Sequence, residues 1–342
     1  MIKPIRVAIV VPTIREHSIK QFIHEWKLGP ESPYGFSTKR NYDLIVIEDS
    51  SKKTFHIPEA DGKFIQHYSH EDIEKDFPYP EIIGRKTDAV RTFGFWKAWK
   101  EGYDYILTLD DDCYPNENQT MQDLINSHLK MINHNPLDLR LFRTLSGGYA
   151  RGTPSFTKTR WPTKLSVGGW TEIPDIDGKT QLYIEKENLK LPKHYGEPTH
   201  IGYGEYYTMC GMHVFFPIEM VRYMYYFPTL DTYHRWADIW LGFCLKKLCD
   251  AKHWAIADSG AMIRHSRASD AQKNFERENT NNGYSINDKL ALHLKNTNIN
   301  SFTELVIALR EFRPIEPNND YFFKIATYYK KWHDIFEDKN GI

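Results

Sequence analysis

The first 135 residues alternate short apolar runs with stretches of helical periodicity. Residues 6–13, 42–50 and 103–112 are apolar runs that end in polar residues. Runs of this kind predict buried strands. Residues 84–102 place apolar side chains at helical spacing between the second and third runs, and residues 119–135 do so after the third. Strands that alternate with helices predict a mostly parallel sheet with covered faces, and therefore an α/β fold.

The pattern changes after about residue 140. Residues 141–215 are rich in Gly, Thr, Tyr and Pro, which predicts short strands and ordered loops that form a lid or an acceptor-side region. Residues 232–251 have the apolar side of a helix, and residues 253–269 read as a strand followed by a polar loop. Two amphipathic helices are expected near the end of the chain, at roughly 301–313 and 320–338.

Composition narrows the class of protein. The 342 residues carry 44 basic and 45 acidic side chains, and this balance argues against a nucleic-acid binder. No apolar run approaches the roughly 18 to 20 residues that a membrane span needs, and the start reads as a strand and not as a signal peptide. The four cysteines form no CxxC pair, so we expect a reduced, cytoplasmic protein. The aromatic content and the terminal helices permit a homo-oligomer.

Three consecutive aspartates follow the third predicted strand. In parallel sheets ligands bind beyond the carboxyl ends of the strands, so Thr13, Asp49 and Asp110 to Asp112 are expected at one edge. Side chains alternate along extended chain, which puts Asp110 and Asp112 on the same side. Two such carboxylates suit a hard divalent cation that also holds a diphosphate. An exposed acidic turn and an aspartate helix cap are the alternatives.

A late polar loop offers further ligands for such a site. His265 has an imidazole that can complete a Mn²⁺ shell, and Arg264 and Arg267 carry guanidinium groups that neutralise phosphate oxygens. A structural histidine is the alternative. Asp88, which follows Arg85 and Lys86, lies near a predicted helix start, where either an anion site or a solvated helix end fits the pattern.

Three other residues carry candidate chemistry. Asp238 lies among aromatic residues, where a carboxylate is costly unless it is hydrogen-bonded or functional. It could orient sugar hydroxyls, stabilise positive charge at an anomeric carbon, or tie two loops together. Trp170 follows a glycine pair and could stack on a sugar ring or belong to the core. Arg151 lies between glycines in a flexible segment.

Several common chemistries lack their sequence signatures. The chain has no GxxxxGK[ST] phosphate loop, no GxGxxG after the first strand, no HExxH and no GxSxG. We therefore expect no NAD-dependent hydride transfer, no metalloprotease chemistry and no serine hydrolysis.

The order of several motifs identifies a family. They are VVPTIR (10–15), AVRTFGFWKAW (89–99), YILTLDDDCYP (105–115), VGGWTEIPDIDGKTQL (167–182), MCGMHVFF (209–216), WADIWLGFCLKKLCD (236–250) and IRHSRAS (263–269). In this order they resemble the reversibly glycosylated polypeptide family, the UDP-arabinopyranose mutases best known from plants. The resemblance covers about residues 5–275.

The resemblance implies a GT-A-like nucleotide-sugar domain over residues 1–275, with a helical C-terminal extension over residues 276–342. It implies a UDP-sugar substrate and a divalent cation, Mn²⁺ or Mg²⁺, without flavin. The implied reaction interconverts the six-membered and five-membered ring forms of the sugar. Family members also become glycosylated at one arginine in a V-R-G-Y-P-F segment, which ARGTPSF matches, so Arg151 is its counterpart.

The same resemblance assigns roles to individual residues. Asp110, Asp112 and His265 would hold the metal, and Arg151 and Asp238 would be catalytic. The expected substrate contacts are Pro12, Thr13, Arg15, Asp49, Asp88, Arg91, Asp111, Gly169, Trp170, Asp175, Asp177, Cys210, Gly211 and Arg267. Within this set, Asp49 would face the uracil, Arg91 and Arg267 would add positive charge at the diphosphate, and Asp175 or Asp177 would deprotonate Arg151.

Two other functions stay open at this point. A retaining glycosyltransferase that passes the sugar to an external acceptor would have the same fold and metal site. A non-catalytic partner would bind the nucleotide sugar without turnover. The sequence also departs from the plant pattern, with IEDSS in place of QDGD after the second strand, so the identity of the sugar stays open.

Overall fold

The structure is a computed structural model. It describes residues 4–28, 41–57, 64–141, 149, 151–173, 175–189, 197–266, 270–314 and 320–337. Arg267, one of the predicted substrate contacts, lies outside these residues, as do Gly147 and Gly148.

The described residues form one mixed sheet. Its strands are β1 (Val7–Thr13), β2 (Tyr42–Glu48), β3 (Ile65–Tyr68), β4 (Tyr105–Leu109), β5 (Cys113–Tyr114), β6 (Thr163–Glu172), β7 (Thr199–His200), β8 (His213–Pro217) and β9 (Ala255–His265). Their order is β3-β2-β1-β4-β8-β6-β9-β5, and β7 pairs with β9. The four strands from β3 to β4 are all parallel, as the sequence predicted. Strand β8 then runs antiparallel to both β4 and β6, while β6 and β9 are parallel to each other.

Ten α-helices flank the sheet in the described part of the chain. They are α1 (Glu16–Glu25), α2 (His70–Asp76), α3 (Arg91–Lys100), α4 (Met121–Ile132), α5 (Gly178–Lys186), α6 (Ala237–Lys252), α7 (Ala271–Glu278), α8 (Gly283–Asn296), α9 (Phe302–Glu311) and α10 (Tyr321–Asp334). The predicted helices at 84–102, 119–135 and 232–251 correspond to α3, α4 and α6. None of the described helices has both the length and the apolarity that a membrane crossing needs.

Alternation along β1 explains why the sheet is covered on both faces. Val7, Ile9 and Val11 belong to a core cluster with α1 and α4, whereas Ala8 and Val10 belong to a second cluster with α3 and α6. Every residue of β1 is buried, which is the expected state of a central parallel strand.

The last helix packs directly on the sheet-covering layer. The rings of Trp332 and Phe77 have centroids 5.9 Å apart, and the Trp332 indole donates to the Val221 carbonyl at 2.8 Å. The Tyr329 hydroxyl donates to the carbonyl of Tyr223 at 2.7 Å. Helix α10 thus shares a hydrophobic core with the predicted catalytic domain, and the domain boundary at residue 275 stays a prediction.

Candidate active site

The polar ends of three parallel strands meet at one edge of the sheet. Thr13 pairs with Glu48 in the β1–β2 register, and the Asp49 amide donates to the Thr13 carbonyl at 2.8 Å. Strand β4 lies on the other side of β1 and delivers the aspartate triplet to the same edge. The Thr13 hydroxyl donates to Asp111 Oδ2 at 2.5 Å. The edge that the sequence predicted is therefore formed.

Asp111, the middle aspartate, uses its oxygens in hydrogen bonds that hold this edge of the sheet together. Asp111 is buried and accepts from Thr13 and from the guanidinium of Arg15, whose Nε lies 3.2 Å from Asp111 Oδ2. Burial raises the pKa of Asp111, and hydrogen bonds from Arg15 and Thr13 oppose that rise. Arg15 also donates to Asp112 at 3.2 Å. Thr13, Arg15 and Asp111 thus join the end of β1 to the triplet.

The third aspartate faces the predicted imidazole ligand. Antiparallel pairing of β5 with β9 places Cys113 opposite His265, next to Asp112. His265 Nδ1 lies 2.9 Å from the carbonyl oxygen of Ile173. A carbonyl only accepts, so Nδ1 carries a proton, and in the neutral ring Nε2 then keeps its lone pair. Nε2 lies 3.8 Å from Asp112 Oδ1. The hydrogen bond from Nδ1 to the Ile173 carbonyl gives the ring the support and the tautomer that are expected of a metal-binding histidine.

The first aspartate is held by a buried arginine. Arg91 is 1% exposed and donates to Asp110, to the Thr108 hydroxyl at 2.9 Å and to the Gly211 carbonyl at 2.6 Å. Asp110 itself is about one-third exposed. Asp110, Asp112 and His265 do not form a set whose ligand atoms all lie within 4.8 Å of one another. Among the described residues that condition is met at the end of α10 and just after it, by His333, Asp334 and Glu337.

Further carboxylates gather beside the triplet. Asp238, in the first turn of α6, accepts from the Gly211 amide at 2.8 Å, and desolvation followed by the charge of Asp88 raises the pKa of Asp238 to about 7. Asp88 is 40% exposed, yet the surrounding protein and Asp110 raise its pKa, while Arg91 opposes this. Raised carboxyl pKa values grouped at a sheet edge are typical of catalytic sites.

A glycine allows this close approach. A Cβ on Gly211 would lie 2.7 Å from Tyr226 Cε1 and 3.0 Å from Asp238 Cβ. The neighbouring Cys210 thiol donates to Asp175 Oδ2 at 3.1 Å, and burial holds the thiol pKa well above its ordinary value. The MCGM motif therefore packs between Asp175 and Asp238, where the sequence expected substrate contacts.

Two predicted substrate carboxylates hold loops in place. Asp49 is 5% exposed and accepts from the amides of Lys86 and Thr87 at 2.9 and 2.7 Å and from His70 at 2.7 Å. Asp177 caps α5 through the amide and hydroxyl of Thr180, at 3.0 and 2.6 Å. Their oxygens are occupied by these contacts, which shape the loops that carry Asp88 and Asp175.

The remaining predicted contacts lie along the strands. Pro12 is buried in β1. Gly169 lies in β6, where its carbonyl accepts from His213 Nδ1 at 3.1 Å and a Cβ would meet Met262 Sδ at 2.8 Å. Trp170 follows it, partly buried against the core cluster of β1 and α4.

Arg151 is exposed on the segment that precedes β6. Its side chain makes no hydrogen bond or ion pair with any residue that the structure describes. Tyr149 donates to the Thr159 carbonyl at 3.4 Å, on the segment that enters β6 at Thr163. His265 pairs with Glu172 at the other end of β6, about 30 Å away for a strand of this length. Arg151 makes no hydrogen bond or ion pair with Asp238, and the catalytic role of both residues stays a prediction.

Comparison with known proteins now supplies the family. A sequence model for the reversibly glycosylated polypeptides matches residues 2–340. The chain belongs to the reversibly glycosylated polypeptide family. The match continues past residue 275, where the motif resemblance ended.

Plant members of this family are similar along much of the chain. UDP-arabinopyranose mutase 3 from Arabidopsis thaliana is 28% identical over 355 residues, which cover 97% of this chain and 91% of the relative. UDP-arabinopyranose mutase 1 from Arabidopsis thaliana is 30% identical over 283 residues, covering 79% and 74%. UDP-arabinopyranose mutase 1 from Oryza sativa subsp. japonica is 28% identical over 283 residues, covering 79% and 72%.

Two residues beside the carboxylate cluster, Arg235 and Glu278, were missed by the sequence analysis. Arg235 precedes α6 with a left-handed backbone, φ 64°, and its Nη2 lies 3.8 Å from Asp175 Oδ1. Its Nε donates to Glu278 at 2.8 Å. The tryptophan-rich run around Asp238 contained Arg235, and the positive φ could not be read from it. Glu278 is one of many glutamates on predicted polar surfaces, and no motif marks it.

Proposed function

We propose that the chain is a metal-dependent, flavin-free UDP-sugar mutase with a GT-A-like fold, which interconverts the pyranose and furanose forms of UDP-L-arabinose. Family membership and the names of the relatives support the substrate class. The observation that carries the proposal is structural. Asp112 and the lone pair of His265 face each other beside Asp88, Asp175 and Asp238, at the strand edge where α/β folds bind nucleotides.

The donor set suits a divalent cation. Carboxylate oxygens and one imidazole nitrogen are ligands that Mn²⁺ accepts, and Mg²⁺ prefers the oxygens. Asp110, Asp112 and His265 would hold the ion, provided that Asp110 turns from its bond with Arg91. When bound, the metal supplies the positive charge that stabilises a departing diphosphate.

A carboxylate of the cluster can then act as base and acid while the ring oxygen of the sugar is exchanged. Once the bond from the anomeric carbon to the diphosphate breaks, a hydroxyl oxygen of the same sugar bonds to that carbon. The bond from the anomeric carbon to the former ring oxygen then breaks as the diphosphate oxygen bonds to the carbon again. One proton passes from the attacking hydroxyl to the released oxygen. A carboxyl with a pKa of about 7 serves as base and then as acid near neutral pH, and Asp238 has that property.

Self-glycosylation at Arg151 is a further part of the proposal. Its exposed guanidinium, without a partner among the described residues, is accessible to a sugar donor. Guanidinium is protonated at neutral pH and needs a base before it acts as a nucleophile. Capture of the sugar during turnover would therefore require the segment around Arg151 to approach Asp175 or Asp238.

The reaction can be tested without an acceptor. Purified protein, Mn²⁺ and UDP-arabinopyranose should yield a second UDP-pentose peak on chromatography, and EDTA should abolish it. Slow release of free sugar and UDP alone would favour a glycosyltransferase, and UDP binding without any product would favour a non-catalytic partner. A panel of UDP-pentoses and UDP-hexoses then identifies the sugar.

Two variants test the assigned residues. His265→Ala should weaken Mn²⁺ binding, measured by electron paramagnetic resonance, by about ten-fold or more, whereas His17→Ala, at an exposed position on α1, should not. Arg151→Ala should lose both the pentose mass increment and isomerisation while keeping UDP affinity. Normal turnover by Arg151→Ala would remove Arg151 from the reaction.

A further inference from the structure

Arg235 presents unused hydrogen-bond donors at the edge of the carboxylate cluster. Its side chain is 32% exposed, and its Nη2 lies 3.8 Å from Asp175 Oδ1, which is beyond hydrogen-bond distance. Within the described residues neither Nη atom makes a hydrogen bond; Nε alone does, to Glu278. The terminal nitrogens of Arg235 are therefore available to a ligand that enters between Asp175 and Asp238.

Among the described residues, two other arginines at this edge, Arg91 and Arg15, are already engaged. Arg91 is buried and donates to four acceptors, which are the Asp88 and Gly211 carbonyls, the Thr108 hydroxyl and Asp110. Arg15 divides its donors between Asp111 and Asp112. A polyanionic ligand needs a cation whose hydrogen-bond donors are not already used. Of Arg15, Arg91 and Arg235, Arg235 has such donors.

Arg235 also stands next to the proposed metal ligands. His265 Nδ1 donates to the Ile173 carbonyl, and Asp175 follows two residues later. The loop that fixes the His265 tautomer thus carries the carboxylate that Arg235 faces.

Glu278, at the end of α7, fixes the guanidinium in this place. It is 3% exposed, and its carboxylate accepts from Arg235 Nε at 2.8 Å, from the Gly178 amide at 2.7 Å and from the Tyr284 hydroxyl. Its carbonyl accepts from the indole of Trp236, which follows Arg235, at 3.0 Å. The buried Glu278 therefore holds Arg235, which faces Asp175, and also Gly178 at the start of α5, which follows Asp175 in the sequence.

The backbone around this contact leaves little freedom. Arg235 has a φ of 64°, a conformation that an arginine keeps only when its surroundings hold it. A Cβ on Gly178 would lie 2.2 Å from the Phe275 nitrogen, so α5 and α7 meet at van der Waals distance. The segment after residue 270 thus contributes to the geometry of the site, although no sequence motif placed it there.

We propose that Arg235 binds the diphosphate of the nucleotide sugar and that Glu278 is a positioning residue that directs its guanidinium toward that group. This inference rests on the proposed function for the identity of the ligand. It adds a binding cation outside the motif-assigned set and gives α7 a role in substrate binding.

The test compares ligands with and without phosphate. UDP affinity is measured by calorimetry in the presence of Mn²⁺, and uridine affinity by competition. Arg235→Gln should weaken UDP binding by about ten- to one-hundred-fold, as expected for the loss of charge-assisted bonds, and leave uridine binding unchanged. Arg6→Gln makes the same change before the amino end of β1 and should alter neither affinity. If Arg235→Gln does not fold, Arg235→Lys, which keeps the charge and loses the fork, replaces it.

Glu278→Gln tests the positioning role. It should weaken UDP binding by about three- to ten-fold, and adding it to Arg235→Gln should weaken binding no further. Tyr284→Phe removes another donor to Glu278 without touching Arg235, so it should change the melting temperature and not the UDP affinity.

Specific outcomes overturn the inference. Equal losses of UDP and uridine affinity in Arg235→Gln would show a general structural effect, and an unchanged UDP affinity would remove Arg235 from the site. Additive losses in the double variant would refute positioning by Glu278. A wild-type chain that binds UDP without isomerising it would defeat the proposed mutase function alone, and the Arg235 comparison would still decide the diphosphate contact.

Discussion

Replacing Asp238 by asparagine tests the electrostatics of the carboxylate cluster. Desolvation, with the charge of Asp88 adding to it, raises the pKa of Asp238 from 3.8 to about 7. Asparagine has nearly the same shape, keeps an oxygen acceptor for the Gly211 amide and does not ionise. Because the folded-state pKa lies above the unfolded value, the wild-type protein loses stability as the pH rises from about 4 to about 7. The variant lacks this loss.

The magnitude follows from the two pKa values. Linkage for one carboxyl with these values gives a loss of about 2 to 3 kcal/mol in the free energy of unfolding between pH 5 and pH 8. The stability of the variant relative to the wild type should rise by that amount over the same interval. Asp238 Oδ1 also accepts from the Ile239 amide at 2.9 Å, and loss of this bond costs about 1 kcal/mol at either pH. It does not enter the pH-dependent difference.

Urea unfolding at the two pH values, with EDTA present, measures this quantity. Glu117→Gln, which neutralises an exposed carboxylate, serves as the control and should show no such change. A difference between Asp238→Asn and the wild type that stays the same within about 0.5 kcal/mol at both pH values would refute a raised pKa. The same variant should lose isomerisation while keeping UDP affinity, because the proposed acid and base is gone.

Two packing predictions concern the residues around this cluster. Gly211→Ala should lower the free energy of unfolding by about 1 to 3 kcal/mol and reduce turnover, because the new methyl would lie 2.7 Å from Tyr226. Gly202→Ala meets only the movable end of a glutamate side chain and should cost less. Arg91→Met should cost about 3 to 5 kcal/mol, since it strands buried acceptors. Arg85→Met removes a partly exposed ion pair and should cost under about 1 kcal/mol.

These packing predictions are measured by urea unfolding at neutral pH. A Gly211→Ala variant as stable and active as the wild type would show that Asp238 and Tyr226 can separate without consequence. A loss in Arg91→Met no larger than in Arg85→Met would contradict the account of Arg91 as a buried bridge.

The periodicity of the sequence predicted the part of the fold built from local pattern. Each apolar run in the first half became a parallel strand, because a run that is buried on both faces has few other solutions. Chain direction then places every strand ending at the same edge, so the meeting of Thr13, Asp49 and Asp110 required no knowledge of side-chain contacts. Helices α7 and α8 were not predicted; α7 is mainly polar, and its few apolar residues do not form a run that stands out from the surrounding polar sequence.

Which carboxylates remain open to a ligand was decided by tertiary structure. Residues Asp49, Asp111 and Asp177 look like Asp88, Asp175 and Asp238 in sequence. Contacts from distant segments occupy the oxygens of Asp49 and Asp111, the nearby Thr180 occupies those of Asp177, and Asp88 and Asp175 stay partly exposed. Burial of Asp238 beside Gly211 and Asp88, which are distant in sequence, produced its raised pKa. No local pattern contains these distances.

The sequence by itself determined the alternation of strands and helices in the first 135 residues, the acidic edge and the family, since hydrophobic period and motif order are properties of neighbouring residues. Only the tertiary structure decided that His265 faces Asp112 and that Glu278 holds Arg235. Those relations depend on strand register and helix packing between segments up to about 150 residues apart. Such contacts form only when the whole chain packs its apolar side chains into a core from which water is excluded.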